Sequence, residues 1–292
     1  MTRTQRRWVL SGIVVLLVIP VAVLALRGRA RLIPNPHREL TAEEKLDKFN
    51  KKFLKRVSFP EKYDGQPSPK ASPHNRQKII AVHSGYWHNY AQIDSARFWY
   101  SRRRTQDGKL VRDDGYSMDA QVEMRYGYGI EIEGQDINGK HFRQSLNPDG
   151  LKQEEHGTDL SSEMLSMFQA FWAYPDHCKN MVNIEEGVTM EGDATGTRYD
   201  VLVTQAQSEM PGHDRIECKL WISQKTKMLD KIEWCDPKVR SKFGSYSHIS
   251  FKYTQCDGIY VPTEIIGDFP DKANHFTEKY SNITIRKRAA GV

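Results

Sequence analysis

The stretch QVEMRYGYGIEIEG, residues 121–134, carries the most regular hydrophobic pattern in the sequence. Its even positions all hold apolar or aromatic side chains, apart from the final Gly134, and its odd positions hold polar residues or glycine. Alternation with a period of two predicts a β-strand with one apolar face. Because glycine has no Cβ, Gly127 and Gly129 predict that this one long strand bends sharply, with its apolar face on the concave side.

The same alternation of apolar and polar residues is found in most segments of residues 78–286. Turn signals separate these segments, at DGKL from position 107, NGKH from 138, NPDG from 147 and CDGI from 256. Short alternating strands divided by such turns are typical of a meandering antiparallel sheet. We therefore predict a mainly β fold with some α structure (α+β). The sheet is expected to be strongly curved and antiparallel, or an open half-barrel, with one or two packed helices.

One hairpin, within residues 216–235, can be registered from its apolar positions. The pattern pairs Cys218 with Ile232, and it leaves Asp230 as the one polar residue on the buried face, opposite Leu220. In this register Cys218 and Cys235 point to opposite faces. Since a disulfide needs converging Cβ atoms, the two thiols are not expected to form a cross-strand bridge.

Two helices are predicted beside the sheet. The first, over residues 42–57, starts at a T-x-x-E capping box and has one apolar face for the domain core, with a membrane-lying helix as the alternative. The second, over residues 160–174, is aromatic at its C-terminal end and is expected to stop at Pro175. Between the first helix and the sheet, residues 59–77 are rich in proline, serine and charge, which predicts a linker.

The N-terminus contains an uncharged run of 19 residues, WVLSGIVVLLVIPVAVLAL, at 8–26. This is about the length that crosses a bilayer as a helix. A cleaved signal peptide is the alternative, but it has a shorter apolar core and a small-residue cleavage site. We predict a cytoplasmic tail (1–7), a transmembrane signal anchor (8–26), a tether (27–40), an exported domain (41–286) and a short tail (287–292). The predicted location is the bacterial inner membrane, crossed once, with the C-terminal domain in the periplasm.

The net charge of +6 is located at the membrane flanks. Residues 1–31 hold six arginines and no acidic residue, and subtracting these six charges leaves the rest of the chain neutral. The basic pI therefore gives no electrostatic argument for nucleic-acid binding.

The concave face of the predicted sheet is the candidate ligand site. Its tyrosines and methionines favour an adaptable, partly open apolar surface, whereas an ordinary filled core is the alternative interpretation of the same alternation. The predicted ligand-binding side chains are Phe98, Tyr100, Val122, Met124, Tyr126, Tyr128, Ile130, Ile132, Phe168, Trp172 and Trp234.

Motifs for catalysis or metal binding do not emerge from the sequence. His83 and His88 are five residues apart, which fits neither HExxH nor an i, i+4 ligand pair. No G-x-S-x-G elbow, dinucleotide fingerprint or phosphate loop is present. We therefore predict no catalytic residue, no metal site and no cofactor.

Several short segments resemble the LolA/LolB-like lipoprotein-carrier superfamily, which includes RseB-type periplasmic domains and outer-membrane lipoprotein-sorting proteins. They are LWISQKTKMLDKIEW, DGIYVPTEI and the terminal YSNITI, together with YGIEIEGQDINGK followed by SLNPDG. The resemblance covers residues 40–286. It implies a half-barrel that holds acyl chains or another hydrophobic segment on its concave face, without catalysis.

A transmembrane anchor would prevent the shuttling between membranes that carriers of this superfamily perform. The predicted function is therefore that of a membrane-anchored periplasmic binding protein for a lipid, a lipoprotein acyl chain or an apolar peptide. The alternatives are an envelope structural, interaction or sensor domain with a filled core, and an enzyme without a recognisable motif.

Overall fold

A single antiparallel sheet forms the framework of the chain. The structure is a computed structural model that describes residues 62–112, 117–125, 129–147, 150–154, 173, 175–206 and 216–288. Its strands are β1 (Ile93–Gln106), β2 (Lys109–Leu110), β3 (Met118–Arg125), β4 (Gly129–Asp136), β5 (His141–Asn147), β6 (Gly150–Glu154), β7 (Met181–Thr189), β8 (Arg198–Ala206), β9 (Ile216–Ser223), β10 (Leu229–Cys235), β11 (Ser247–Cys256), β12 (Ile259–Phe269) and β13 (Asn274–Lys287). The helices are α1 (Pro73–Ala91), α2 (Pro175–Cys178) and α3 (Pro237–Phe243), with a 3₁₀ turn at Pro270–Lys272.

The strands are hydrogen-bonded in the order β6-β5-β4-β3-β1-β13-β12-β11-β10-β9-β8-β7, and the short β2 pairs with β1. Neighbouring strands along this path are antiparallel. Within the described residues, β6 and β7 end the path and do not pair with each other, so the sheet is open. The predicted class, mainly β with an antiparallel sheet and a few helices, is confirmed.

The stretch at 121–134 is a β-hairpin, so the prediction of one long strand is wrong. β3 and β4 pair antiparallel across it, with Val122 opposite Ile132 and Arg125 opposite Gly129. Three residues separate the two strands. Even-numbered residues therefore face even-numbered residues across the hairpin, and the hydrophobic alternation continues through the reversal. A pattern of period two cannot by itself distinguish this hairpin from one strand.

Helix α1 also departs from the predicted organisation, in which a linker over 59–77 was followed directly by the sheet. The Ser72 side chain caps the helix by accepting a hydrogen bond from the Asn75 backbone N–H, as is usual for serine at this position. The buried positions of α1 include His83 and Asn89 beside its apolar residues. Because polar residues interrupt the buried face, the 3.6-residue periodicity is weak in a hydrophobic pattern.

Some predicted elements lie outside the described residues, namely the anchor at 8–26 and the helices at 42–57 and 160–174. Pro175, expected to stop the second of those helices, begins the short helix α2. In the part of the chain that the structure describes, every helix is too short or too polar to span a bilayer.

The hairpin of β9 and β10 differs from the predicted register by two residues, which keeps the predicted faces. Leu220 lies opposite Ile232, and a β-bulge between Leu229 and Lys231 interrupts the pairing. Leu229 stays fully buried in the core, while Asp230, predicted on the buried face, is only partly buried. Since burying a carboxylate among apolar side chains is costly, the bulge removes the one polar mismatch of the predicted register.

Asp230 is expected to make stability depend on pH. Burial raises its pKa to about 6, although a hydrogen bond from Tyr199 opposes the shift. The folded pKa exceeds the unfolded value, so the contribution of Asp230 to stability is largest below about pH 4 and is lost as pH rises through about 6. A shift of about two pKa units corresponds to at most about 3 kcal/mol, and the partial exposure of Asp230 reduces this, so Asp230→Asn should stabilise the protein at pH 7 by about 1–2 kcal/mol.

Urea unfolding at pH 4 and at pH 7 measures this effect, with Asp107→Asn in an exposed turn as the control. An equal stability difference between Asp230→Asn and the unmodified protein at both pH values would contradict the assignment.

Replacing Gly134 with alanine is expected to destabilise the fold by about 1–3 kcal/mol through overpacking. A Cβ on Gly134 would lie 2.2 Å from the Asp119 carbonyl oxygen and 2.6 Å from the Ala120 Cα, so β3 and β4 would have to separate. Gly85→Ala is the matched control, because its Cβ would meet nothing closer than 3.8 Å. In helix α1 that change should stabilise by about 0.5–1 kcal/mol. Thermal unfolding that shifts both variants in the same direction would contradict the close approach.

Candidate functional site

One face of strands β1, β3, β4 and β5 carries a continuous set of apolar side chains, which we call the inner apolar face. Because side chains alternate across a strand, residues two positions apart lie on the same face. Each member is no more than 3% exposed and belongs to the main hydrophobic core. The set comprises Ala96, Phe98, Tyr100, Met118, Ala120, Val122, Met124, Ile132 and Phe142.

Five of the predicted ligand-binding residues come together on this face: Phe98, Tyr100, Val122, Met124 and Ile132. Phe98 lies opposite Val122, which in turn lies opposite Ile132, so one row crosses three neighbouring strands.

The remaining predicted residues are not placed on this row by the structure. The backbone of Ile130 lies in β4, and Trp234 lies on β10, four strand positions from β1, where its ring packs 5.7 Å from that of Phe269. Four other predicted residues, Tyr126, Tyr128, Phe168 and Trp172, lie outside the described residues.

A buried ion pair lies beside the inner apolar face, and sequence reasoning missed it. The Arg102 Nε is 3.6 Å from the Glu278 Oε1, and the two side chains are 9% and 2% exposed. The Tyr280 hydroxyl donates a hydrogen bond of 2.7 Å to Glu278, and burial raises the pKa of that tyrosine well above its usual value. The Arg102 guanidinium also lies over the Phe276 ring, 5.3 Å from its centre.

The signal for this pair was present in the strand alternation. Ala96, Phe98, Tyr100 and Arg102 occupy successive even positions of β1, so the arginine continues the buried face. The run SRRR gives no sign of burial by itself, since arginine is seldom buried without a partner.

Helix α1 covers another part of the same core. It packs most closely against β7, α2, β1 and β12. The Asn89 side chain fixes it to β12 by donating to the Tyr260 carbonyl at 2.8 Å and accepting from the Tyr260 N–H at 2.9 Å. Tyr86 and Tyr90, both fully buried, meet edge to face with ring centres 5.5 Å apart. This part of the interior is therefore a filled core.

The four cysteines, Cys178, Cys218, Cys235 and Cys256, are free thiols. Cys218 is buried in the core, whereas Cys235 follows it on the opposite face of the hairpin, as predicted. Burial raises the pKa of Cys218 to about 12 and that of Cys235 to about 11, so both thiols are protonated near neutral pH. Among the described residues, no cluster of three metal-ligating side chains occurs.

Comparison with known proteins gives matches only among solved structures, because no family model and no curated protein matches the chain. A domain classed with outer membrane lipoprotein-sorting proteins, from Vibrio parahaemolyticus, aligns over 73% of this chain and 94% of its own length, with 11% identity and a TM-score of 0.44. A LolA superfamily protein from Nitrosomonas europaea aligns over 74% of this chain and 95% of its own, with 12% identity and a TM-score of 0.41.

A third solved structure aligns over a similar share of the chain. A DUF1329 family protein from Desulfovibrio piger is also similar, with 11% identity, a TM-score of 0.43, and coverage of 73% of this chain and 94% of its own. What the sheet of this chain binds is therefore argued below from its own side chains.

Proposed function

We propose that the chain is a non-enzymatic binding protein that holds a hydrophobic ligand against the inner apolar face. The ligand class is a lipid, a lipoprotein acyl chain or an apolar peptide. The observation that carries this proposal is the continuous apolar surface on four neighbouring strands, β1, β3, β4 and β5. Among the described residues, α1 packs chiefly against β7 and α2, and it meets the inner apolar face mainly along β1.

The contacts of α1 support a curved sheet, or half-barrel, with the inner apolar face on its concave side. In the strand order, β1 and β7 are seven positions apart, which is about 34 Å on a flat sheet. The 19 residues of α1 give a helix about 28 Å long. The helix packs on β12 and β1 at one side and on β7 at the other, and its Tyr90 interacts with Tyr253 of the intervening strand β11. We infer that the sheet curves around the helix.

The composition of the inner apolar face suits a ligand without fixed shape. Met118 and Met124 are flexible side chains that adapt to irregular apolar surfaces. Each CH₂ group of a ligand that leaves water contributes about 0.8 kcal/mol. Since the face is already buried in this structure, a ligand must replace contacts within the chain. The free energy of binding is then the difference between the ligand's contacts and the contacts that it replaces.

The membrane-anchored, periplasmic form of this proposal rests on the sequence at 8–26. A single-pass anchor in the inner membrane would keep the binding domain beside one bilayer. Such a protein would accept or present its ligand at that surface, without moving between two membranes.

The test is mass spectrometry of lipids extracted from the purified full-length chain. Met124→Gln places a polar group of similar size on the inner apolar face, and Glu123→Gln makes a change on the exposed opposite face. We expect lipid to co-purify with the unmodified chain and with Glu123→Gln, and several-fold less with Met124→Gln. Equal amounts in both variants, or none in the unmodified chain, would overturn the proposal.

A second candidate is an envelope interaction or sensor domain with a filled core. The observation that favours it is the exposure of at most 3% for every member of the inner apolar face. On this account the folded, full-length chain carries no lipid, and Met124→Gln lowers stability without changing any bound ligand.

A further inference from the structure

A cleft of about 490 Å³ lies on the opposite, outer face of the sheet, over β9 and β10. Its floor is formed by Lys219, Trp221, Lys231 and Glu233. Lys219 and Trp221 alternate with the core residue Leu220 along β9, and Lys231 and Glu233 flank the core residue Ile232 on β10, so all four point away from the core. A cleft of this size is within the range of small-molecule sites.

Two walls enclose the cleft. One is α3 with the segment that follows it, which contribute Arg240 and Tyr246, and the other is the segment after β7, which contributes Glu191. The Arg240 guanidinium lies over the Tyr246 ring at 5.1 Å, and it is 4.0 Å from the largely exposed Glu191 carboxylate on the other wall. Gly244, in the left-handed region with φ of 78°, ends α3 and directs the chain back to the cleft.

The charges around the cleft are balanced. Its cationic side chains are Lys219, Lys231 and Arg240, and its carboxylates are Glu191, Glu217 and Glu233. A strongly ionic ligand would be attracted by one set and repelled by the other. The balance therefore favours a ligand without net charge.

The charged groups keep hydrogen-bonding capacity beyond their mutual contacts. The Lys231 Nζ lies 2.6 Å from Glu233, with the two side chains only 19% and 14% exposed, and the Lys219 Nζ lies 3.0 Å from Glu185. An ammonium group has three donors and a carboxylate about four acceptor sites. A hydroxyl both donates and accepts, so adjacent hydroxyls can bridge such a pair through charge-assisted hydrogen bonds.

Aromatic rings complete the cleft. Trp221 packs edge to face against Tyr199 with ring centres 5.8 Å apart. Its indole Nε1 is buried and has no hydrogen-bond partner among the described residues, although a buried indole N–H usually has an acceptor. The aromatic side chains of Trp221 and Tyr246 therefore line the cleft beside the charged pairs, which matches a ligand with both C–H faces and hydroxyl edges.

We propose that this outer cleft binds a neutral, hydroxyl-rich ligand of the carbohydrate class. The site is separate from the inner apolar face, because it lies on the other side of the sheet. A protein with both sites would hold a hydrophobic molecule on one face and a sugar on the other.

The test is saturation-transfer NMR and calorimetry on the full-length chain in a detergent without a sugar headgroup. The probes are maltose, cellobiose and N,N′-diacetylchitobiose, with glucuronate and glucosamine as charged counterparts. We expect saturable binding of at least one neutral disaccharide and at least tenfold weaker binding of both charged sugars.

Trp221→Phe, which keeps a ring and removes the N–H donor, and Lys231→Gln, which removes the ammonium, should each weaken binding tenfold or more. Trp99→Phe, on an exposed ring of the outer face of β1, and Met124→Gln on the inner face should leave the affinity unchanged. Failure of every neutral sugar to bind, tighter binding of a charged sugar, or full affinity in folded Trp221→Phe and Lys231→Gln would overturn the proposal. Because Met124→Gln tests the inner face alone, either proposal can fail without the other.

Discussion

Replacing Glu278 with glutamine is expected to lower the free energy of unfolding by about 3–5 kcal/mol, the usual cost of removing one partner from a buried ion pair. Glutamine keeps the shape of the side chain and removes its charge. The Arg102 side chain, which is 9% exposed, would then keep its charge buried beside a neutral group. The hydrogen bond from the Tyr280 hydroxyl would also lose its charged acceptor. Urea unfolding followed by circular dichroism measures the loss.

The matched control is Glu123→Gln, the same substitution in an exposed pair. The Arg97 Nη2 lies 2.7 Å from the Glu123 Oε2, but the two side chains are 60% and 57% exposed. Such pairs contribute about 0–1 kcal/mol. The double variant Arg102→Met, Glu278→Leu, which removes both charges, should recover most of the lost stability. Equal losses for Glu278→Gln and Glu123→Gln would contradict the buried pair.

Phe98→Ala should destabilise the protein by about 3–5 kcal/mol, as expected for deleting a buried aromatic ring. Phe98 is 1% exposed, and its ring centre is 5.5 Å from that of Tyr280. The next residue in β1, Trp99, is 49% exposed on the other face, so Trp99→Ala should cost about 1 kcal/mol or less. Midpoints and slopes of urea unfolding separate a true stability loss from a change in the unfolded state.

Phe98→Leu separates the role of this ring in folding from its role in binding. A swap between apolar side chains of similar size usually costs less than about 1.5 kcal/mol, so the variant should fold and still carry lipid. A larger loss for Trp99→Ala than for Phe98→Ala would mean that the faces of β1 are assigned the wrong way round.

The faces of the sheet could be predicted from the sequence better than its strands. Alternation put Val122, Met124 and Ile132 together on one face, and the structure confirms that placement. The chain reversal between them was missed, because an odd number of intervening residues preserves the alternation. In the β9–β10 hairpin the predicted pairing was wrong by two residues. Because two is an even number, Cys218 stays on the buried side.

Other features depend on contacts between distant parts of the chain, which no local pattern contains. Arg102 is buried because β13 brings Glu278 beside it, 176 residues further along. Helix α1 is anchored through Asn89 to Tyr260, with a sequence separation of 171. The outer cleft needs β9, β10, α3 and the segment after β7 together, and in the sequence each of its charged residues alone resembles an ordinary surface residue.

Photolabelling maps the ligand on the full-length chain most directly. The chain is equilibrated with a palmitate that carries a diazirine on its acyl chain, irradiated, digested and sequenced by mass spectrometry. The proposed binding mode predicts labels on Phe98, Val122, Met124 and their neighbours on the inner apolar face. Labels confined to the outer-face residues Trp99, Gln121 and Glu123, or to the apolar segment at 8–26, would contradict it.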